Sequence, residues 1–536
     1  MIILWIWLVV LVAVITLYFR RVYSSFDRHG IKHIKPTPMV GNMTKVILRA
    51  EHMADALKKV YNDFPEERFV GRYEFIKELI VVRDLELVKK ITVKDFEHFL
   101  DHRPLLGNSD SYFSRNLFSL RGQEWKDMRS TLSPAFTSSK MRLMVPFMVE
   151  VGDQMMRSLQ KIIKESKNGS VDLDCKDLTT RYTNDVIASC AFGLKVDSHN
   201  DKNNSFYTLG KETSTFDFSQ IIKAFLFANL PEVAKFLKLD FLSKSSKNAF
   251  KRLVLYTMEN REMKNIIRPD MIHLLMEAKK GKLTHDDIKS NDLAAGFATV
   301  TESAVGKKKV NRVWSDEDLV AQAVLFFIAG FEAVSSGTSF LLHELAMNPD
   351  VQERLAQEIK EHDAKNGGKF DFNSIQNMVY MDMVVSEVLR LWPAAGALDR
   401  ICTKDYNMGK PNAKAEKDYI IRKGTGVWIP VFSIHRDPQY FPNPLKFDPE
   451  RFSEENRHNI NPLAYMPFGV GPRNCIGSRF ALCEVKVMTY QIIREMVVSP
   501  CERTCIPAKL CPETFNMRLK GGHWLNFRPR TEQIRM

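Results

Sequence analysis

The sequence predicts a mainly α-helical protein with a smaller β region, an α+β class, behind an N-terminal transmembrane anchor. Helical hydrophobic periodicity runs through most of the chain, short apolar runs broken by proline and glycine fill residues 393–472, and an uncharged apolar run stands at the N-terminus. The 536 residues are 45% hydrophobic and 26% charged, which excludes a disordered or collagen-like chain. No repeat or linker divides the sequence after the N-terminal region, so one large domain, or two tightly packed lobes, is predicted.

The N-terminal run from Ile2 to Phe19 predicts a membrane-spanning helix. It holds no charged residue, and a helix of that length measures about 27 Å, close to the hydrocarbon core of a bilayer. A cleaved signal peptide is the alternative, but it needs basic residues before a shorter apolar run. Here Arg20 and Arg21 follow the run, so we expect a retained, single-pass signal anchor with the rest of the chain in the cytosol.

Three segments are therefore predicted along the chain. Residues 1–21 form the anchor, and residues 22–40 form a basic linker that Pro36 and Pro38 stiffen. Residues 41–536 form the large domain.

Net charge and cysteine content give weaker predictions. The chain has 77 Lys and Arg against 64 Asp and Glu, a net charge of +13. This excess suits nucleic acid, an anionic membrane surface or an acidic protein partner, and charge alone does not choose among them. The eight cysteines form no closely spaced even framework, which favours a reducing compartment.

Several elements of secondary structure are predicted by pattern. The β formers between Phe69 and Asp84 predict a pair of strands. Helices are predicted at Gln123–Leu132, Asp316–Met347 and Met378–Leu391. The long middle helix follows Ser315 and has an acidic first turn, the pattern of an N-cap. Its apolar centre would suit a membrane span, but polar residues inside it favour a buried core helix.

A cysteine framed by glycines stands just before a further helical stretch. Glycines let the backbone turn sharply, and N-terminal amides stabilise a thiolate, so such a sulfur can bind a metal. A lone cysteine is more often a buried, inert thiol. Here the surrounding positions fit the pattern F-x-x-G-x-R-x-C-x-G, with Phe468, Gly471, Arg473, Cys475 and Gly477 at its fixed places. This segment resembles the haem-binding loop of the cytochrome P450 superfamily.

The resemblance extends over nearly the whole chain, from Pro36 to about Arg530, and is greatest to insect microsomal xenobiotic-metabolising members of the ninth family. It implies the cytochrome P450 fold, haem b as cofactor, Cys475 as the metal ligand and residues 41–536 as a haem-thiolate catalytic domain. It also implies a monooxygenase that inserts one oxygen atom of O2 into apolar small molecules, xenobiotics in this branch. NADPH-derived electrons would come from NADPH-cytochrome reductase.

The same resemblance implies where the protein works and with what partners. The endoplasmic reticulum membrane is the expected location, with the catalytic domain on the cytosolic side. Membrane lipid is an expected contact, cytochrome b5 is a candidate second electron donor, and nucleic acid is not an expected partner.

Four residues are expected to bind the haem propionates. Trp125 and Arg129 stand four apart on a predicted helix and resemble the W-x-x-x-R motif of the superfamily. Arg473 and Arg400 resemble two further propionate partners. Arginine suits carboxylates because its planar fork donates two parallel hydrogen bonds and stays charged.

A second motif is expected to support the haem loop. Glu387 and Arg390 share a helix face at i,i+3 and can pair, although a pair on a surface helix contributes little. They resemble the E-x-x-R motif, and Arg451 belongs to a segment that resembles P-E-R-F. The resemblance implies that these three residues form a buried network behind the loop.

The long central helix is expected to cover the distal side of the iron. Ala329, Gly330, Glu332 and Ala333 resemble the A-G-x-[DE]-T signature, in which small residues make room for dioxygen. Position 333 departs from it, because alanine lacks the hydroxyl that the superfamily uses in oxygen activation. Ser336 lies near the same face and is a candidate substitute that would act through water.

Two other functions stay open. An enzyme that rearranges or dehydrates peroxides starts from an existing O–O bond, so it would need neither a reductase nor a hydroxyl at position 333. A haem-binding sensor or sequestration protein would bind ligands and consume no NADPH.

Overall fold

A computed structural model of the chain describes residues 2–104, 111–214, 218–237, 239–240, 242–281, 296–308, 310 and 312–530. Helices dominate these residues, and the strands form small sheets, as the α+β class requires. The α-helices are α1 (Ile2–Tyr23), α2 (Ser25–Arg28), α3 (Thr44–Ile47), α4 (Met53–Asp63), α5 (Leu85–Lys89), α6 (Ser111–Ser114), α7 (Gly122–Leu132), α8 (Ser138–Glu165), α9 (Cys175–Ile187), α10 (Ser205–Ser214), α11 (Phe218–Asn229), α12 (Pro231–Phe236), α13 (Lys244–Lys264), α14 (Met271–Lys279), α15 (Asp316–Met347), α16 (Pro349–Asn366), α17 (Phe372–Asn377), α18 (Val379–Leu391), α19 (Val431–Ile434) and α20 (Ser478–Glu495).

Shorter helical turns and the strands complete the described elements. The 3-10 turns are Phe96–His98, Ser133–Phe136, Val305–Lys307, Pro449–Phe452 and Arg457–Asn459, and the π turns are Lys90–Lys94 and Ala188–Phe192. The strands are β1 (Phe69–Glu74), β2 (Lys77–Val82), β3 (Val171–Asp174), β4 (Leu398–Ile401), β5 (Tyr406–Gly409), β6 (Tyr419–Ile421), β7 (Gly426–Ile429), β8 (Met496–Ser499) and β9 (Trp524–Pro529). The predicted strand pair and the three predicted helices are confirmed to within a few residues.

The chain divides into two compact units, and the smaller comprises residues 1–103 and 396–434. Its main sheet has the order β1-β2-β7-β4, in which β2 and β7 are parallel and the other pairs are antiparallel. Val70 pairs with Val81 across the first hairpin, and both side chains are buried with Trp428 and with Leu57 of α4. Strands β5 and β6 form a separate antiparallel pair.

The apolar N-terminal helix belongs to this smaller unit. Helix α1 is longer than the predicted apolar run and has a mean hydropathy of 2.8 with no buried residue, which fits a membrane anchor. Its end is held by protein contacts, because the Tyr23 hydroxyl donates to the Phe75 carbonyl at 3.1 Å. Phe26, in α2, is fully buried and packs so closely on Gly71 that a Cβ there would lie 2.5 Å from its ring.

The larger unit comprises residues 104–395 and 435–536, and α15 runs through its core. The predicted N-cap is confirmed as a full capping box, in which Ser315 and Asp318 each bind the backbone N–H of the other. The candidate membrane-spanning window within α15 is 61% buried, so this is the predicted core helix. Phe327 packs edge to face on Phe206 and Phe250, each with ring centroids 5.1 Å apart.

Candidate active site

Cys475 lies in a tight loop that ends at the first turn of α20. Gly469 and Gly471 have φ angles of +77° and +75°, a left-handed conformation that side chains disfavour. The turn brings the Cys475 N–H to the Phe468 carbonyl at 2.8 Å. Gly477 caps α20 at an ordinary φ of −92°, so the two earlier glycines supply the sharp turn.

The charge of the Cys475 sulfur depends on its immediate neighbours. The side chain is accessible, yet the surrounding protein desolvates the thiolate and raises the pKa of Cys475. A hydrogen bond from the Gly477 N–H and the positive charge of Arg129 act in the opposite direction. A bound metal ion would complete this compensation, since coordination deprotonates a thiol.

The described residues contain no group of three or more His, Cys, Asp or Glu side chains that could hold a metal ion. Cys475 therefore suits a metal that brings its other ligands with it. Iron in a porphyrin meets that condition, because the macrocycle supplies the equatorial ligands. The donor chemistry of this site thus fits haem.

Trp125, on α7, and Arg473, in the loop, stack on each other. The Arg473 guanidinium carbon lies 4.0 Å from the centroid of the Trp125 ring, and its nitrogens donate to the carbonyls of Leu117 at 3.2 Å and Leu120 at 2.7 Å. Trp125 is 1% exposed, and its indole N–H donates to none of the residues that the structure describes. The Trp125 N–H is therefore available to an acceptor oxygen of a ligand.

Arg129 lies near the loop but is already engaged. Its Nη1 and Nη2 donate to the carbonyl and Oδ1 of Asn474 at 2.8 and 2.7 Å. Its Nη2 and Nε donate to Glu302 Oε2 at 2.6 and 3.1 Å. Of the five guanidinium N–H groups, one on Nη1 is left for a propionate among the described residues.

Glu302 is a site residue that the sequence does not reveal. It lies 173 positions after Arg129, in a segment that the motifs of the superfamily do not cover. Pairing between two residues so distant in one sequence leaves no signal in spacing or periodicity. Only the fold brings them together.

Arg400 belongs to the smaller unit, on β4. It is 3% exposed, and its Nη1 donates to the backbone carbonyl of Asp399 at 2.6 Å. The Asp399 carboxylate is bound by His102 at 2.8 Å, and no described carboxylate lies within 4.0 Å of Arg400. Burial lowers the pKa of Arg400, and Asp399 opposes the shift. Such a cation fits an anionic ligand group.

The E-x-x-R residues form a fully buried ion pair in the larger unit. Arg390 donates from Nε and Nη2 to the two Glu387 carboxylate oxygens at 2.7 and 2.8 Å, and both side chains are 0% exposed. Arg451 Nε lies 3.4 Å from Glu387 Oε1. Burial raises the pKa of Glu387, and the hydrogen bonds and charge of Arg390 oppose the shift. The structure thus places all three residues together.

His435 connects this network to the segment before the loop, and the sequence did not single it out. The His435 Nδ1 lies 2.9 Å from the Arg390 carbonyl, and its Nε2 accepts from the Met466 N–H at 2.9 Å. These contacts require a neutral ring that donates from Nδ1. Burial accordingly lowers the pKa of His435 to about 3.

The distal residues occupy two faces of α15. Ala329 and Ala333, one turn apart, are exposed, whereas the other residues from Asp318 to Ala346 are at least partly buried. Gly330 packs closely, since a Cβ there would lie 3.1 Å from the Ile187 side chain.

The Glu332 side chain of α15 lies in a polar cluster with Lys176, Arg518 and Ser336. Arg518 lies 3.0 Å from its Oε2, and Lys176 lies 3.4 Å from its Oε1. The buried Ser336 hydroxyl donates to Glu332 Oε1 at 3.1 Å. Burial lowers the pKa of Lys176 to about 8, and Glu332 opposes the shift. Lys176 and Arg518 are cluster members that the sequence did not single out.

The chain is similar to known proteins over almost its whole length. Residues 32–525 match the family described as Cytochrome P450. Cytochrome P450 9e2 of Blattella germanica is 43% identical over 525 residues, which cover 95% of each chain. Probable cytochrome P450 9f2 of Drosophila melanogaster is 43% identical over 509 residues, 93% of this chain and 94% of that protein. Cytochrome P450 6k1 of B. germanica is 35% identical over 528 residues, 98% of this chain and 97% of that protein.

Glu387→Gln is expected to lower the free energy of unfolding by about 3 to 5 kcal/mol, because Arg390 then stays buried without a counter-charge. Denaturant unfolding measures this change. Glu353→Gln is the control, because Glu353 pairs with Arg530 with 73% of its side chain exposed, and exposed pairs contribute at most about 1 kcal/mol. Equal effects of the two substitutions would contradict the importance of burial.

His435 is expected to make stability depend on pH. Its pKa is about 3 in the folded protein against an ordinary value of 6.5, so the unfolded chain binds an extra proton between these values. His435 therefore makes its full contribution to the free energy of unfolding above about pH 6.5. That contribution falls by about 1.4 kcal/mol per pH unit toward pH 3. His435→Gln should flatten the slope of unfolding free energy against pH, and the exposed His458→Gln should not. An unchanged slope in His435→Gln would contradict the prediction.

Proposed function

Because the chain belongs to the cytochrome P450 family, we propose that this haem-thiolate monooxygenase oxidises apolar xenobiotics at the cytosolic face of the endoplasmic reticulum membrane. The family uses haem b, O2 and NADPH-derived electrons, and its members act on apolar substrates. A redox partner belongs to this chemistry, and we propose NADPH-cytochrome reductase, with cytochrome b5 as a second donor. The observation that carries the proposal is Cys475, a single accessible sulfur in a glycine-shaped loop.

Cys475 would hold the iron of haem b through its sulfur, and the loop residues present that sulfur. Haem b bound in this way would supply the chemistry that activates dioxygen, so that one oxygen atom enters the substrate. Phe468 holds the Cys475 backbone through its carbonyl, and the Gly477 amide favours the thiolate by lowering the pKa of Cys475. Glu387, Arg390 and Arg451 keep the backbone behind the loop in place.

The propionates are proposed to bind four groups. Trp125 offers an indole N–H, and Arg473 stacks on the same ring. Arg400 offers a buried cation that has no carboxylate partner among the described residues. Arg129 offers its one remaining N–H and acts chiefly through its charge.

On the distal side, the chain's own residues leave room for dioxygen and hold protons. Ala329, Gly330 and Ala333 are small, so they leave space at the exposed face of α15. Ser336 donates to Glu332, and these two groups are the proposed carriers of protons in place of a hydroxyl at position 333. A water molecule would complete the path from Ser336.

The location follows from the anchor. Helix α1 fits a membrane span, and the arginines at its C-terminal end favour a cytosolic domain. The anchor brings the enzyme into contact with membrane lipid, in which apolar substrates dissolve. The similarity to insect members of the ninth family supports xenobiotics as the substrate class.

Ala333 also favours a second function, that of a peroxide-rearranging or dehydrating enzyme. The two functions differ in what they consume. The full-length protein with reductase and NADPH should oxygenate an apolar probe substrate and incorporate labelled oxygen from O2. Turnover of a hydroperoxide without NADPH, and none with O2, would establish the second function in its place.

Cys475→Ala is expected to abolish thiolate ligation, because the sequence has no other cysteine between Phe468 and Gly477. The reduced wild-type protein with carbon monoxide should show the strongly red-shifted Soret band of a thiolate ligand, and the variant should lack it. Cys483→Ala is the control, because Cys483 is buried on α20. A red-shifted band that persists in Cys475→Ala would contradict the assignment.

Ala333→Thr is expected to raise the fraction of consumed NADPH that appears as product. The added hydroxyl supplies a hydrogen-bond donor on the exposed face of α15. NADPH oxidation and product formation, measured together, give this ratio. The same substitution at Ala346, which is buried at the end of α15, is the control. Equal ratios in Ala333→Thr and the wild type would mean that the present residues already deliver the protons.

A further inference from the structure

The 296–308 segment lies on the thiolate loop and on its supporting network. It begins at Gly296, where a Cβ would lie 2.0 Å from an oxygen of Asp382, so a larger residue there would displace the Asp382 side chain. The Phe297 N–H donates to Asp382 Oδ2 at 2.9 Å, and the Phe297 ring contacts Phe452 and Tyr465 with centroids 5.3 and 5.6 Å apart. These contacts fix the start of the segment against residues next to Arg451.

The middle of the segment binds Asn474, the loop residue directly before Cys475. The Thr301 carbonyl accepts from Asn474 Nδ2 at 3.2 Å. At the end of the segment, the Lys308 carbonyl accepts from the Ser130 hydroxyl of α7. The 296–308 segment is thus attached to the loop and to the helix that carries Arg129.

Glu302 brings a negative charge to this place. Its Oε2 lies 2.6 Å from Arg129 Nη2, and Glu302 and Arg129 have only 15% and 4% of their side chains exposed. Ser133 donates a further hydrogen bond to the same oxygen at 3.0 Å. Gly306 confines the carboxylate, because a Cβ there would lie 2.4 Å from Glu302 Oε1. With little solvent to screen them, the charges of Glu302 and Arg129 largely cancel.

Arg129 is held directly against the residue before Cys475, since its Nη1 and Nη2 donate to the Asn474 carbonyl at 2.8 Å and to Asn474 Oδ1 at 2.7 Å. Its positive charge favours the thiolate. A cation beside a thiolate withdraws electron density that the sulfur would otherwise give to the iron. Glu302 offsets that cation through its ion pair with Arg129.

We propose that Glu302 is a positioning residue that acts through Arg129 to set the electron donation of the Cys475 thiolate, and so holds the reduction potential of the haem iron low. This inference rests on the proposed role of Cys475 as axial ligand. Reduction of ferric to ferrous iron adds one electron, from NADPH through the reductase, and no bond to Glu302 forms or breaks. The added negative charge is stabilised by Arg129 once Glu302 no longer neutralises it.

The test is the ferric/ferrous potential of the full-length holoenzyme, measured by spectroelectrochemical titration. Glu302→Gln should raise the ferrous-to-ferric ratio at a fixed potential by about tenfold, a positive shift of about 59 mV for one electron. Glu302→Asp keeps the charge and should stay near the wild type. Glu124→Gln is the matched control. Glu124 lies on α7, the helix that carries Arg129, and it pairs with Arg312 with 56% of its side chain exposed.

Gly306→Ala provides an independent variant. It keeps the carboxylate but displaces it from Arg129, so the potential should again shift to positive values, even if Glu302→Gln does not retain haem. An unchanged potential in Glu302→Gln or, where that variant is colourless, in Gly306→Ala overturns the inference. An equal shift in Glu302→Asp and Glu302→Gln also overturns it, because charge would then not be the cause.

Failure of the inference is distinct from failure of the proposed function. The carbon monoxide spectrum of the wild type tests thiolate ligation by Cys475, and its failure would overturn the proposed function first. A wild type with thiolate ligation and variants with unchanged potentials would overturn the role of Glu302 alone.

Discussion

The constraint on which the larger unit depends is an anionic sulfur in surroundings that disfavour charge. Desolvation opposes the Cys475 thiolate, and the Gly477 amide and the Arg129 charge favour it. The loop must therefore hold the sulfur at a fixed distance from its partners. Gly469 and Gly471 supply the turn, and the surrounding elements must keep that turn from relaxing.

Buried charges behind the loop serve this purpose. Glu387 and Arg390 are inaccessible, so each requires the other, and neither can move without exposing a bare charge to a low dielectric. His435 extends the constraint to Met466, because its neutral ring donates in one direction and accepts in the other. Such a network adds little to the free energy of unfolding compared with apolar residues of similar volume. It nevertheless strongly favours one arrangement of the backbone. The 296–308 segment adds Glu302, whose carboxylate pairs with Arg129 next to the loop.

The candidate distal residues of α15 combine two small exposed side chains with a buried carboxylate. Ala329 and Ala333 expose two methyl groups, and Ala333 stands where the signature has a hydroxyl. The polar atoms lie on the neighbouring residue, Glu332. Lys176 and Arg518 hold that carboxylate, so its movement requires the rearrangement of two cations. The exposed small residues and the polar atoms around Glu332 therefore lie on different faces of α15, and the proposed proton carriers are separate from the space proposed for dioxygen.

The sequence by itself determined the helical class, the limits of α7, α15 and α18, the first strand pair and the thiolate motif, because periodicity, caps and closely spaced residues are local. It also placed Glu387 beside Arg390, since one helix face holds both. The tertiary structure alone decided that Glu302 neutralises Arg129, that His435 joins Arg390 to Met466 and that Lys176 and Arg518 hold Glu332. These pairs join residues far apart in the chain, and an ion pair between distant residues has no spacing that a single sequence can show. Burial, which decides how much such a pair matters, is likewise a property of the packed chain.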